Sequence, residues 1–212
     1  MAKKKSDGIN KKFAEFATTP AAPAIVLAID PGKKSGATLA RGGLAGELIV
    51  DTVHAVDTDT RWVESTIVTA MQQAKDLDLP LSLVIERPAV PKSAKQHNVF
   101  GGVSGSVAIW TRQWRLHHAE MGDGGRSGRT KIWAVTRVHK VLAVTWRSVA
   151  MPRTGRVDNG KWRRFTSEEW KAEAVATVER LAPGTSSFCD LGPDEAESLV
   201  MAAYALKGGV SL

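Results

Sequence analysis

The chain has 212 residues, 43% of them hydrophobic, with a formal net charge of +7 and one cysteine. That hydrophobic fraction excludes a mostly disordered protein, and the apolar runs are too short to span a bilayer. A single cysteine excludes an internal disulfide, and Cys189 stands too far from any His for a zinc site.

Residues 1–23, Lys-rich and then Ala/Pro-rich, are expected to form a basic tail without fixed structure. They lack the apolar segment of a secretory signal, so a soluble protein of a reducing, cytoplasmic compartment is expected. Residues 24–212 are expected to form one folded domain, with basic loop insertions near 117–130 and 151–165. Ile25-Val26-Leu27-Ala28-Ile29 is apolar and mostly branched, which predicts a central strand covered on both faces. Asp30 closes that run and Pro31-Gly32 breaks it. A second strand begins after Gly36 at Ala37–Ala40 and a third covers Gly46–Val56, with a hairpin turn at Gly42-Gly43.

Thr60–Leu77 has helical spacing, with Trp62, Val63, Ile67, Ala70, Met71 and Ala74 on one stripe. Leu81–Glu86 is a fourth strand, again closing on an acid and again followed by a proline, Pro88. Gly101, Gly102 and Gly105 precede an apolar helix through Trp114. Lys131–Val138 predicts a fifth strand, Val138–Trp146 a short helix, and residues 151–165 a loop. Thr166 with Glu169 is a capping-box pattern opening a helix to about Leu181. The last helix covers Pro193–Leu206, with proline in its first turn. A three-strand meander followed by alternating strands and helices gives an α/β fold: a five-stranded mixed sheet flanked by helices.

Acids stand at three notable points. A carboxylate closing a buried strand is costly unless something compensates it, and a divalent cation is the usual compensator. Asp-Pro-Gly is also ordinary turn chemistry, so Asp30 alone does not decide the matter. Glu86 repeats the setting, however, and Asp194 and Glu197, three apart, share one face of the last helix. First-turn acids also stabilise the helix dipole, the role that suits Glu195. If the first and fourth strands are parallel neighbours, Asp30, Glu86, Asp194 and Glu197 converge. Such hard oxygen ligands suit Mg²⁺, or Mn²⁺ in its place, and two ions about 4 Å apart are the arrangement for phosphodiester cleavage.

These motifs resemble the RuvC-type Holliday-junction resolvases of the RNase H-like superfamily. Ala28-Ile29-Asp30-Pro31-Gly32 with Gly36, Leu83-Val84-Ile85-Glu86, and Asp194-Glu195-Ala196-Glu197-Ser198-Leu199 match the family's three motifs in order across about residues 24–206. Glu197 departs from the usual Asp by one methylene, and the chain looks closer to divergent, phage-like members than to the cellular enzyme. The resemblance implies an RNase H-like fold and a Mg²⁺-dependent crossover junction endodeoxyribonuclease. It makes Asp30, Glu86, Asp194 and Glu197 catalytic metal ligands, with two ions per site. It also implies a homodimer acting on branched DNA, a four-way junction above all.

The charge distribution agrees with a polyanionic partner. Residues 112–164 hold thirteen Lys or Arg against Glu120, Asp123 and Asp158. Six of the seven Trp residues lie between 110 and 170. Trp110, Trp114, Trp133 and Trp146 have apolar neighbours and read as core. Trp162, inside Lys161-Trp162-Arg163-Arg164, is the better candidate for DNA, together with Arg153, Arg156, Lys92 and Lys95. Two other classes compete. An actin-like or sugar-kinase ATP site would use the Asp and Gly-rich turn but leave the later acids without a purpose. A non-catalytic DNA-binding or assembly protein would retain the fold alone.

Overall fold

The computed structural model describes residues 11–88, 94–122, 137–184 and 191–212. Lys92, Trp133 and Cys189 fall outside the described residues, as does the side chain of Lys95. The elements in chain order are α1 (Lys11–Thr18), β1 (Ile25–Asp30), β2 (Lys34–Gly42), β3 (Leu48–Asp57), α2 (Thr60–Leu77), β4 (Leu81–Arg87) and α3 (Ala94–Gly122). They continue with β5 (Arg137–Leu142), α4 (Ala143–Ala150), β6 (Gly155–Asp158), β7 (Lys161–Arg164), α5 (Ser167–Leu181) and α6 (Pro193–Tyr204). A π-helical turn, Ala205–Gly209, follows α6.

Five strands form one sheet in the order β3-β2-β1-β4-β5. β1, β2 and β3 are antiparallel neighbours, whereas β4 runs parallel to β1 and β5 parallel to β4. The central position of β1 follows from its sequence: Ile25 through Ile29 are fully or almost fully buried, so only helices on both faces satisfy them. On one face, Ile25, Leu27, Ile29, Leu83 and Ile85 pack with Val63, Ile67 and Met71 of α2 and Trp110 and Trp114 of α3. On the other, Val26, Ala28 and Val84 pack with Trp146 of α4, Val178 of α5 and Leu199 and Val200 of α6. No helix among the described residues is long and apolar enough to cross a membrane.

Several expectations need correction. The segment read as an unstructured tail forms α1 from Lys11 onward, because Phe13 and Phe16 give it an apolar face that is buried. Lys207 fastens its end, donating from Nζ to the carbonyls of Ala17 and Thr19 at 3.1 and 2.6 Å. Gly101, Gly102 and Gly105 lie inside α3 rather than before it. A Cβ at any of them would meet nothing within 4 Å, so they occupy an open side, and the burial of Trp110 and Trp114 offsets their poor helix propensity. Trp62, expected in the α2 stripe, is 51% exposed with the Arg61 guanidinium over its ring.

Residues 151–165 form a hairpin rather than a loop. Asn159 and Gly160 both have positive φ (48° and 74°), the backbone of a two-residue hairpin turn that joins β6 to β7. Residues 131–136 of the expected fifth strand lie outside the described residues; the strand runs on to Leu142, past Val138, and the following helix covers Ala143–Ala150.

Candidate active site

Strand parity decides which face the acids share. Val26 and Ala28 of β1 and Val84 of β4 face α4, α5 and α6, so Asp30 and Glu86, next in each series, point the same way. The parallel register sets Ile29 opposite Ile85, which places the two acids side by side at the carboxyl ends of neighbouring strands.

α6 supplies the other two. Its first turn lies directly on β2 at Gly36, where any side chain would collide with the Asp194 carbonyl. Gly36 is therefore a close-approach glycine, a role its sequence position alone does not show. The buried hydroxyls of Thr38 and Ser198, 2.7 Å apart, lock the same contact. Asp194 and Glu197 then project together, and carboxylate oxygens of Asp30, Asp194 and Glu197 lie within 4.8 Å of one another. The turn after Asp30 is held from behind by Ser35, whose buried Oγ lies 3.2 Å from both Trp110 Nε1 and Thr58 Oγ1 and 3.3 Å from Ser106 Oγ. The hydroxyl beside Lys33-Lys34 is thus a packing hub.

The cluster is electrostatically poised. Burial, followed by the charges of Glu86, Glu197 and Asp194, pushes the Asp30 carboxyl well above its usual range. Burial also raises Glu86 and Glu197, against the opposing pull of Arg147. Desolvation wins at all three. Such a set of hard oxygens, disfavoured as bare anions, fits a Mg²⁺ or Mn²⁺ ion.

Three further residues complete the site, and sequence reasoning did not single them out for it. Trp146 of α4, read as core and fully buried, also donates from Nε1 to Glu86 Oε2 at 2.9 Å. Its neighbour Arg147 makes a short hydrogen bond from Nη2 to Glu197 Oε1 and lies 3.8 Å from Glu86 Oε2. Lys171 of α5 donates to Asp194 Oδ1 at 2.7 Å, and that hydrogen bond raises its pKa. Arg147 was one cation among thirteen in the basic block, and Lys171 lay outside it, so no local pattern marked either.

The expected DNA contacts divide into two groups. Arg163 is engaged by acids: it bonds Glu169 through two nitrogens at 2.6 and 2.8 Å and Asp158 at 3.1 Å. Arg156 also pairs with Glu169 at 3.0 Å, and Arg153 approaches Glu173 at 4.0 Å. This network, together with the capping box of Thr166 and Glu169, ties the hairpin to α5. Lys161 and Arg164 are exposed and make no ion pair among the described residues. Trp162 is 40% exposed and its ring lies close over Gly155 across the hairpin.

The five-stranded mixed sheet in this order, flanked by helices, is an RNase H-like fold. RuvC of T. thermophilus, in complex with a Holliday junction substrate, superimposes with a TM-score of 0.51 at 13% identity, covering 87% of this chain and 96% of that one. A yeast mitochondrial Holliday junction resolvase matches at 0.46 and 12%, covering 92% and 85%. A second T. thermophilus RuvC structure matches at 0.47 and 14%, covering 85% and 95%. The fold assignment rests on the first of the three. No family model and no curated protein matches the sequence.

Proposed function

We propose that the protein is a divalent-metal-dependent endonuclease that resolves four-way DNA junctions or related branched DNA. The observation that carries this reading is the convergence of Asp30, Asp194 and Glu197, with Glu86 adjoining, on one end of an RNase H-like sheet. Asp30, Asp194 and Glu197 would hold Mg²⁺ or Mn²⁺, and Glu86, fixed by Trp146, borders the same space. A bound ion there supplies Lewis-acid polarisation of the phosphodiester and a more acidic water. The chain's own residues supply the rest: buried carboxylates aim their oxygens into one space, and α6 is pinned to β2 so that they cannot drift apart.

Lys161, Trp162 and Arg164 on the β6–β7 hairpin offer phosphate and base contacts, while Arg163 holds the hairpin in place. Lys92 and Lys95, which follow Glu86 in the chain, are assigned to DNA contact on their sequence position alone, and a homodimer would present two such sites to one junction. Asp194 and Glu197 already have cationic partners, an arrangement that would also suit a DNA-binding protein without activity.

One experiment separates the readings. Labelled four-way, forked and linear DNA are incubated with the protein and with Asp30→Asn, with and without Mg²⁺. Cleavage of branched DNA that requires Mg²⁺ is expected, lost on the order of 10³-fold in the variant while junction binding persists. Undiminished cutting by Asp30→Asn would remove that residue from the site. Binding without any cleavage would favour the inactive class.

A further inference from the structure

α4 carries the two side chains that hold Glu86 and Glu197, yet little within the helix keeps it in place. It has eight residues, its N-cap Leu142 gives no side-chain hydrogen bond, and Val144 in its first turn is 64% exposed. A helix so short is not stable by itself, so its position depends on what it packs against. One neighbour is α6, which bears Asp194 and Glu197, and another is α1, which rests chiefly on α4. Phe13 and Phe16, buried on α1, belong to the same apolar cluster as Trp146, Ala150 and Met151.

α1 also has only eight residues and needs an anchor of its own. Lys207, at the kink after α6, supplies it. Its Nζ reaches the carbonyls of Ala17 and Thr19 at the end of α1 and lies 5.9 Å from the Phe16 ring. A lysine there satisfies acceptors that a helix end leaves open. Burial lowers the pKa of that ammonium, and no carboxylate counters the effect. The same turn holds the link to β1, because the Ala22 amide donates to the Leu206 carbonyl at 2.7 Å. These contacts close a circuit. The end of α6 holds α1, α1 covers α4, and Trp146 and Arg147 of α4 return to Glu86 of β4 and to Glu197 of α6.

We infer that α1 braces α4 at the candidate active site, and that Lys207 is a positioning residue acting through this brace on Trp146 and Arg147. The inference takes its purpose from the proposed nuclease reading and its geometry from the packing of α1 on α4. Release of Lys207 frees α1, uncovers α4 and lets the Trp146 indole leave Glu86.

The full-length protein, labelled with ¹⁵N, reports on this through the Trp146 indole N–H that donates to Glu86, a resonance identified by its loss in Trp146→Phe. Lys207→Met keeps the aliphatic stem and removes the donors. Hydrogen exchange should then quicken roughly tenfold at that indole and at the amides of α1 and α4, and stay as in the wild type in α2. Lys207→Arg, which keeps a cation with donors, should restore slow exchange. Ile67→Val, a core loss on the opposite face of the sheet, should leave the indole as it was. With four-way DNA, Lys207→Met should cut more slowly at saturation without binding less tightly. The inference is overturned by unchanged indole exchange once the α1 amides exchange freely, by α1 amides that stay protected in Lys207→Met, or by equal acceleration in α2. Wild-type cutting by a variant whose indole exchanges faster would overturn it too. Phe16→Leu carries the same measurements if Lys207→Met does not fold, as judged by circular dichroism. Absence of any cleavage by the wild-type protein would instead sink the nuclease reading, and the exchange rates would still decide the brace.

Discussion

Among the described residues two arginines each bridge two acids, and they behave in opposite ways. Arg163 sits on the surface between Asp158 and Glu169, and its two hydrogen bonds hold the Glu169 carboxyl down at about 2. Arg147 of α4 sits largely buried between Glu86 and Glu197, yet both of those carboxyls are raised. The chemistry is the same and the surroundings differ. Near water, pairing decides the sign; where water is excluded, desolvation exceeds it. A surface clip of this kind fastens a hairpin, whereas the buried one keeps a set of anions under stress that a cation relieves.

The largest expected effect is at the buried bridge. Arg147→Met leaves Glu86 and Glu197 without their partner and should destabilise the metal-free protein by about 3–5 kcal/mol in urea unfolding. A loss no greater than that of a surface substitution would show that the acids do not depend on the guanidinium. Next comes the metal. Mg²⁺ at a hundredfold excess over its Kd should stabilise the protein by about 2.7 kcal/mol.

That gain should grow with pH. The Asp30, Glu86 and Glu197 carboxyls bind protons more tightly in the native state than in the unfolded chain, because burial disfavours their charged forms. Their contribution to stability is therefore full below pH ~4 and lost as pH rises through their elevated native values. Melting curves from pH 4 to 8, with Mg²⁺ and with chelator, should diverge towards pH 8; parallel curves would mean these groups are not the ones relieved.

Gly36→Ala tests the contact that delivers Asp194. Crowding of α6 against β2 should cost about 1–3 kcal/mol and weaken Mn²⁺ binding, read by calorimetry. Unaltered affinity would show that α6 can shift without disturbing its acids. The smallest effect belongs to the surface clip. Glu169→Gln should leave Mn²⁺ binding as it was and speed hydrogen exchange in β6 and β7. The clip's pH window is the reverse of the buried cluster's: its contribution is present above pH ~4 and lost as pH falls through about 2.

Much of this was legible in the sequence because it depends on local pattern. The apolar runs ending on Asp30 and Glu86, the stripe of α2, and the capping box of Thr166 and Glu169 each reflect neighbours in the chain. The Asn159-Gly160 hairpin is equally local, since that dipeptide is the strongest short signal for such a turn, although the Arg- and Gly-rich composition around it predicts a loop. Order along the chain, together with the resemblance of its three motifs, even anticipated which acids would meet.

What only the tertiary structure decided concerns residues distant in sequence and unremarkable beside their neighbours. Nothing local distinguishes Arg147 from Arg137, or Lys171 from the other lysines. Their roles arise from α4 and α5 packing over the acid-bearing face of the sheet, where low dielectric turns proximity into strong coupling. Gly36 likewise follows its meaning from α6, nearly 160 residues away in the chain, pressing on its backbone. The sequence by itself determined which groups carry charge and which strands are buried. The packing determined how much each charge costs and what else must stand beside it.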